Sequence, residues 1–221
     1  MIIAIDGPAA AGKSTTARLV AAALGFRYID SGSLYRAAAA ARARRGGAAE
    51  SWTEQEVIDA VAIVTLVPVD GAFEPWLDGS RVDEELRSAE VTASVPYVAQ
   101  MPGVRSWVNY HVRAAADMHD AVVDGRDMGT AVFPRAALKI YLVADSWQRA
   151  RRRLVQRSGT EPTDDEVAAE MVALRERDTL DEAQSVMASD AVIVDTSDIT
   201  QQEQVAHIVA LARALRGTDA R

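Results

Sequence analysis

The order of apolar and polar positions along the chain predicts two kinds of element. Five short runs are rich in Ile, Val, Leu and Tyr without polar alternation, which is typical of strands buried on both faces of a parallel sheet. These runs lie at 1–6, 26–30, 121–125, 138–144 and 191–196. Helical patterns lie between them, so the sequence predicts a doubly wound α/β fold with a five-stranded parallel sheet flanked by helices.

Local end signals set the bounds of several helices. The helix over 14–24 stops at Gly25, a residue that readily adopts the left-handed conformation that closes a helix. A helix over 163–178 and the last helix begin after Thr163 and Thr200, each with a glutamate three residues later. This spacing predicts a capping box at both starts.

Two segments depart from the alternation of strands and helices. Residues 63–83 hold short β-type runs broken by Asp70-Gly71 and Asp78-Gly79, and both dipeptides are typical of tight hairpins. We expect a small antiparallel insertion that lies outside the main sheet. Residues 157–166 combine glycine, proline and charge, which predicts a mobile surface loop.

Composition narrows the range of partners. The 221 residues carry a formal net charge of −8, whereas proteins that wrap nucleic acid usually have a basic balance, so we expect no nucleic-acid partner. The chain has no cysteine, which excludes thiolate chemistry and fits a cytoplasmic location. We find no signal-peptide pattern and no apolar run near the roughly 20 residues of a membrane span, so we expect no membrane partner.

The first strand leads directly into the turn GPAAAGKS, which matches the pattern G-x-x-x-x-G-K-[ST]. Backbone N–H groups of such a turn, and the positive end of the helix after it, hold phosphates. Lys13 would reach the β- and γ-phosphates and the Ser14 hydroxyl would bind Mg²⁺. The sequence therefore predicts a nucleotide site of the P-loop NTPase type. The predicted ATP-binding residues are Gly7, Pro8, Ala9, Ala10, Ala11, Gly12, Lys13, Ser14 and Thr15.

Other classes of P-loop protein carry motifs that this chain lacks. A GTPase should have an Asn-Lys-x-Asp guanine reader and an ABC-type ATPase a Leu-Ser-Gly-Gly signature, and neither occurs in the sequence. A small-molecule kinase is therefore favoured.

The stretch IDSGSLYR follows a predicted strand and opens a helix. Asp30, Ser31 and Ser33 are ordinary capping residues, which is one interpretation. Arg36 lies one helical turn after Ser33 and can point to the same side, which suits an acceptor with a phosphate of its own. Both interpretations stay open.

The stretch VVDGRDMGT follows another predicted strand. Asp124 ends that strand, where ligands bind in sheets of this kind, and its carboxylate can help to hold Mg²⁺. Arg126 and Asp127 follow on a glycine-containing turn beside the phosphate loop. A functional role is favoured there over an ordinary surface salt bridge.

An arginine cluster precedes the predicted mobile loop. Arg149, Arg152, Arg153 and Arg157 share about half of a helix circumference, and Arg175 and Arg177 follow the loop. These arginines could line a lid that closes over the nucleotide. Such a lid suits phosphoryl transfer, because negative charge spreads over the oxygens of the transferred group. A solvated basic face remains the explanation for some of these residues.

Taken together, IDGPAAAGKST, DSGSLYR, DGRDMGTAVFP, LKIYLVA and RERD resemble bacterial cytidylate kinases, a family of nucleoside monophosphate kinases, over nearly the whole chain. The resemblance implies transfer of the γ-phosphoryl group of ATP to CMP or dCMP, with Mg²⁺ as cofactor, in pyrimidine metabolism. This transfer needs no general base, because the second pKa of a phosphate monoester is about 6 and the acceptor phosphate is mostly dianionic at pH 7.

The resemblance also assigns roles to single residues. Arg36 and Arg126 would contact the acceptor phosphate, Arg105 and Asp127 the base, and Arg177 and Asp181 the ribose side. The implied catalytic residues are Lys13, Arg126, Arg153 and Arg177, and the implied metal ligands are Ser14 and Asp124. The implied acceptor-binding residues are Ser31, Tyr35, Arg36, Arg105, Arg126, Asp127, Arg177, Asp181 and Gln184.

Two positions depart from the family pattern. Pro96 stands where the family usually has a serine, with Ser94 two residues earlier, and Gln184 stands where it usually has an arginine. Both belong to the base-recognition side. Two alternatives therefore stay open: a related kinase for a modified pyrimidine nucleotide or another small phosphorylated metabolite, and a non-catalytic nucleotide-binding protein.

The resemblance implies a single kinase unit over 1–221, which we expect to be a monomer. Its core would comprise 1–62, 84–150 and 179–221. The β insertion at about 63–83 would bind the acceptor, and a helical lid would cover about 151–178.

Overall fold

The structure is a computed structural model that describes residues 1–219. Its strands are β1 (Ile2–Asp6), β2 (Arg27–Asp30), β3 (Val64–Val69), β4 (Ala72–Leu77), β5 (Ser80–Arg81), β6 (Ala121–Asp124), β7 (Leu138–Val143) and β8 (Val192–Asp195). Its α-helices are α1 (Lys13–Leu24), α2 (Ser31–Ala43), α3 (Glu54–Ala60), α4 (Asp83–Leu86), α5 (Ala89–Ala99), α6 (Pro102–Ala116), α7 (Ser146–Ser158), α8 (Asp164–Asp181) and α9 (Gln201–Asp219). The chain divides into two compact units: unit 1 is Met1–Phe26 with the chain from Ala121 onward, and unit 2 is Arg27–Asp120.

Unit 1 is built on a parallel sheet in the order β6-β1-β7-β8. In β1, Ile3, Ala4 and Ile5 are fully buried, as expected for apolar strands covered on both faces. Helices α1 and α9 pack against each other and against the sheet, and α7 packs on α8. The predicted α/β class, with a mostly parallel sheet flanked by helices, is confirmed.

Strand β8 departs from the prediction that all five strands are buried on both faces. Ile193 is 56% exposed and Val192 is 37% exposed. The strand lies at the end of the sheet order of unit 1, where flanking helices cover less of each face. Apolar content alone does not distinguish such an edge strand from a central one.

Unit 2 contains the predicted β insertion. β3 pairs antiparallel with β4 and β4 antiparallel with β5, through turns in which Asp70 (φ 43°), Gly71 (φ 83°), Asp78 (φ 50°) and Gly79 (φ 71°) are left-handed. Two successive positive φ values define the tight hairpin turn that Asp-Gly favours, so both hairpin predictions are confirmed.

The prediction that the insertion lies outside the main sheet is wrong. β4 pairs in parallel with β2, with Tyr28 opposite Ala72 and Ile29 opposite Phe73. The Tyr28 N–H also donates to the Gly71 carbonyl over 2.9 Å. The reason is that an unpaired strand edge leaves backbone N–H and C=O groups without hydrogen-bond partners. Pairing with β4 gives those groups of β2 their partners.

The helices of unit 2 pack around α2, which contacts α3, α5 and α6. Residues 37–40 of α2 are alanines that are fully buried, and Ala41 is 2% exposed. Small side chains let neighbouring helices approach α2 closely, so this alanine run forms the centre of the helical layer.

The helix end signals are confirmed. Gly25 closes α1 with φ 69°, and Thr163 and Glu166 form a capping box on α8. Thr200 and Glu203 exchange the same reciprocal bonds. The predicted loop at 157–166 is too wide, because Gly159 (φ 72°) ends α7 only after Ser158 and the cap starts α8 at Asp164. No helix within 1–219 is long and apolar enough to cross a membrane.

Candidate active site

The phosphate loop connects β1 to α1 in unit 1. Gly7 has φ 147°, and a Cβ there would lie 2.3 Å from the Leu142 carbonyl oxygen, so only glycine fits. Gly12 (φ 87°) and Ala10 (φ 59°) are both left-handed. These turns lead the chain into the N-terminus of α1, where the free N–H groups of a helix favour an anion.

Lys13, the first residue of α1, is only 7% exposed, and its Nζ donates to the Pro8 carbonyl over 2.8 Å. Burial lowers the pKa of its ammonium group from 10.5 to about 7, and the positive charge of Arg126 acts in the same direction. The carboxylates of Asp124, Asp6 and Asp181 oppose this decrease. A cation in such surroundings gains from the approach of an anion.

Ser14 and Asp124, the two predicted metal ligands, lie together. The Ser14 hydroxyl donates to Asp124 Oδ2 over 2.7 Å, and Asp124 is 2% exposed at the end of β6. Within residues 1–219 no group of three or more His, Cys, Asp or Glu could hold a metal ion. Two hard oxygen donors nevertheless fit Mg²⁺, which keeps several waters and takes phosphate oxygens as further ligands.

Asp6 is a site residue that the sequence analysis missed. Its two carboxylate oxygens accept the backbone N–H groups of Met128 (2.8 Å) and Gly129 (2.7 Å). It therefore fixes the turn after β6 that carries Arg126 and Asp127. Burial raises the pKa of Asp6, although the two N–H donors work against that increase. The only signal in the sequence is an acidic residue at the end of an apolar strand.

Arg126 and Arg177, two of the predicted catalytic residues, meet at Asp181. Arg126 Nε donates to Asp181 Oδ2 over 3.1 Å, and Arg177 Nε lies 3.8 Å from the same oxygen. Asp181 is the last residue of α8, and Gln184 ends the short 3₁₀ turn that follows it. Asp127 is 7% exposed.

The predicted arginine cluster on α7 does not act as one group. Arg153, a predicted catalytic residue, pairs with Glu170 on α8 over 2.9 Å, and Arg157 pairs with the same carboxylate over 3.0 Å. Arg152 donates to the carbonyl and hydroxyl of Thr196 after β8, so it holds α7 on the sheet. Four arginines that share about half of the helix circumference thus have different partners, because that arc includes the sides of α7 that contact α8 and Thr196.

Arg149, the fourth member of that cluster, contacts the phosphate loop. It donates to the Ala9 carbonyl over 3.0 Å and to Asp178 Oδ2 over 2.7 Å. Asp178 Oδ1 in turn accepts the Ala9 N–H over 3.3 Å. No sequence motif predicted a role for Asp178, although it is the last residue of the RERD stretch.

The acceptor-side residues of unit 2 surround the start of α2. Asp30 accepts the Ser33 N–H over 3.1 Å, so its capping role is confirmed. Ser31 is 2% exposed and Tyr35 9%. Arg36 donates to the Leu86 carbonyl over 3.0 Å and to the Thr92 hydroxyl over 2.8 Å, which directs its guanidinium toward the start of α5.

The residues near the predicted base contact lie on α5 and α6. Arg105 donates to the Ala99 carbonyl over 3.3 Å. Pro96 lies inside α5, and the buried Ser94 donates to the Glu90 carbonyl of its own helix over 2.9 Å. The Ser94 hydroxyl is thus engaged within α5.

Comparison with known proteins identifies the family of this chain. The model of the cytidylate kinase family matches residues 3–214. The chain belongs to the cytidylate kinase family. The cytidylate kinase of Salinibacter ruber is 40% identical over 225 residues, which cover 98% of this chain and 99% of that protein. The cytidylate kinase of Desulfitobacterium hafniense is 42% identical over 217 residues, covering 95% and 91%.

A crystal structure of an uncharacterized protein from Eubacterium ventriosum shares the fold. It superposes with a TM-score of 0.52 at 10% sequence identity and covers 96% of this chain and 97% of that one. The family confirms the resemblance identified from the motifs. It also confirms the expectation of an enzyme of the nucleoside monophosphate kinase class.

Proposed function

We propose that the chain transfers the γ-phosphoryl group of ATP to CMP or dCMP, giving ADP and CDP or dCDP. The observation that carries the proposal is the buried Lys13 inside the phosphate loop, directly beside the hydrogen-bonded pair Ser14 and Asp124. A buried cation next to two hard oxygen donors suits a polyphosphate with its magnesium ion. Membership of the cytidylate kinase family supports CMP as the acceptor.

The donor side lies on the phosphate loop, residues 7–15. Its N–H groups and the N-terminus of α1 would hold the β- and γ-phosphates of ATP. A bound polyanion would keep Lys13 protonated although the pKa in this structure is about 7. Ser14 and Asp124 would hold Mg²⁺, which neutralises charge on the phosphate oxygens when it is bound.

The acceptor side needs positively charged residues rather than a base, because the CMP phosphate is already a dianion at neutral pH. Arg36 and Arg126 would bind that phosphate, and Arg105 and Asp127 the cytosine. The remaining residues proposed to bind CMP are Ser31, Tyr35, Arg177, Asp181 and Gln184. Arg126 and Arg177 would also stabilise the charge that spreads over the transferred phosphoryl group.

The helical pair α7 and α8 would form the lid, at about 151–178. Closure of such an element excludes water that would otherwise hydrolyse ATP. Arg153 would exchange Glu170 for the transferred phosphoryl group, which makes it the proposed catalytic arginine of the lid.

A second candidate acceptor is a substituted pyrimidine nucleotide. Pro96 offers neither a hydroxyl nor a backbone N–H, and Gln184 carries no charge. These positions leave fewer polar groups to recognise an unsubstituted cytosine.

An assay of ADP release with ATP, Mg²⁺ and each common nucleoside monophosphate tests the proposal. CMP and dCMP should be the best acceptors. Lys13→Met should lower turnover roughly 100-fold, because the only cation among residues 7–15 is lost. This corresponds to about 3 kcal/mol of transition-state stabilisation. Arg18→Met removes an exposed cation from the same helix and serves as the control. Turnover of Lys13→Met within about threefold of the parent, or a clear preference for a purine acceptor, would contradict the proposal.

A further inference from the structure

Two helices of unit 1 hold the phosphate loop at a single residue. Arg149 on α7 donates to the Ala9 carbonyl, and Asp178 on α8 accepts the Ala9 N–H. The two side chains also pair with each other over 2.7 Å and are 11% and 28% exposed. Both backbone polar groups of Ala9 are therefore bound by one ion pair.

The next residue of the loop shows why this contact matters. Ala10 has φ 59°, a left-handed conformation that a residue with a Cβ rarely adopts unless its neighbours impose it. Ala9 belongs to a buried cluster with Ala150, Val167 and Leu174, and Ala10 packs against that cluster. The ion pair and the apolar cluster together hold the turn at Ala9 and Ala10.

We propose that Arg149 and Asp178 are positioning residues for the phosphate donor. They fix the turn at Ala9 and Ala10, so that the N–H groups of the loop are already oriented when the polyphosphate arrives. Preorganisation of this kind raises affinity because the ordering cost is met before binding. The inference rests on the proposed function, in that ATP is the ligand of the loop.

The alternative is an ion pair that only joins α7 to α8. That connection has other contacts, since Arg153 and Arg157 both pair with Glu170 across the same two helices. What separates Arg149 and Asp178 from those residues is their pair of bonds to Ala9. Loss of the pair should therefore affect donor binding before it affects the helices.

The experiment measures the Kd of Mg·ATP by calorimetry without acceptor, and the KM values of ATP and CMP. Asp178→Asn is isosteric and keeps an acceptor for the Ala9 N–H but removes the charge that binds Arg149. Arg149→Gln removes the donor to the Ala9 carbonyl. Arg18→Gln is the control, because Arg18 is an exposed cation of unit 1 that lies outside the proposed lid.

We expect the Kd and KM of ATP to rise about tenfold or more in both test variants, as for the loss of a charged hydrogen bond. The KM of CMP should change less than about twofold, and Arg18→Gln should have the parental Kd and KM values. Melting temperatures establish that each variant is folded. If Arg149→Gln does not fold, Arg149→Lys is measured in its place. Folded variants with the parental Kd for ATP would overturn the inference, as would a loss confined to Arg149→Gln.

A double variant tests the link to the left-handed turn. Glycine adopts positive φ without penalty, so Ala10→Gly in the Asp178→Asn background should recover about threefold of the lost ATP affinity. A double variant that binds ATP no better than Asp178→Asn would overturn the assignment to this turn. Because the Kd of ATP is measured without acceptor, a failure of CMP as substrate is distinguishable from a failure of the positioning role.

Discussion

Asp181 holds Arg126 through a hydrogen bond of 3.1 Å from Nε to its Oδ2. The same oxygen lies 3.8 Å from Nε of Arg177 one helical turn earlier. One carboxylate at the end of α8 thus orients two guanidinium groups that we propose to act on phosphate.

Replacement of this carboxylate should lower the catalytic efficiency with the acceptor nucleotide. We expect Asp181→Asn to lower kcat/KM for CMP by about tenfold or more, since hydrogen bonds to charged groups contribute roughly 1.5–3 kcal/mol. The measurement compares CMP with dCMP, and a larger loss for CMP is expected if Asp181 contacts the ribose. Glu203→Gln, an isosteric change of an exposed residue at the start of α9, is the control. Activity within about twofold of the parent would contradict the role.

Lys13 should make stability depend on pH in a way that Met at this position removes. Burial lowers its pKa from 10.5 to about 7 in the folded protein. Between these values the unfolded chain binds more protons than the folded one, so the contribution of Lys13 to the free energy of unfolding rises with pH. The melting temperature of Lys13→Met minus that of the parent should fall from pH 7 to pH 10.

This measurement uses protein free of nucleotide and treated with a chelator. Arg18→Met, which removes an exposed cation from the same helix, provides the comparison. A difference between Lys13→Met and the parent that stays constant with pH would show that the folded-state pKa is not lowered.

Thr92 should support Arg36 on the acceptor side. Thr92→Val removes the hydroxyl that accepts a 2.8 Å bond from Arg36, while the bond to the Leu86 carbonyl remains. We expect the KM of CMP to rise about fivefold, in line with roughly 1 kcal/mol for one hydrogen bond, and the KM of ATP to stay the same. Ser94→Ala, on the same helix, removes a hydroxyl bonded within α5 and is the control. Equal KM values for CMP in Thr92→Val and Ser94→Ala would show that Thr92 does not position Arg36 for the acceptor.

Pro96 and Gln184 should weaken discrimination between pyrimidine bases. Unpaired polar groups of a base in a closed site cost roughly 1–3 kcal/mol each, and neither residue replaces the usual serine and arginine. We expect the parent to prefer CMP over UMP by less than about 10³-fold in kcat/KM, and Pro96→Ser with Gln184→Arg to increase that preference. A parent above this ratio, with no change in the double variant, would rule out control by these two positions.

The turn between α7 and α8 should respond to nucleotide binding. Residues 159–163 connect the two helices of the proposed lid. We expect their amide hydrogen exchange to slow when a bisubstrate analogue binds, because closure protects exposed N–H groups. The exposed turn at 117–120, between α6 and β6, is the internal control in the same sample. Unchanged protection at 159–163 would exclude closure there.

Five buried strands, several helix ends and the phosphate loop were predictable from the sequence, because each depends on neighbouring residues. Apolar runs of five to seven residues predicted β1, β2, β6, β7 and β8, and Gly25 and Thr163 marked helix ends correctly. The loop pattern needs its glycines locally, since Gly7 has no room for a Cβ. The hairpins at Asp70-Gly71 and Asp78-Gly79 follow from the same local rule.

Contacts between groups that are distant in the sequence were not predictable, because they depend on how the elements pack. The pairing of β4 with β2, the bonds of Asp6 to residues more than 120 positions away and the hold of Arg149 on Ala9 all join separate parts of the chain. A local pattern shows that an arginine lies on a helix, but it is the same whether that arginine faces solvent, a neighbouring helix or the phosphate loop. Packing made that choice for Arg149, Arg152 and Arg153, because each partly buried charge needs a partner of its own.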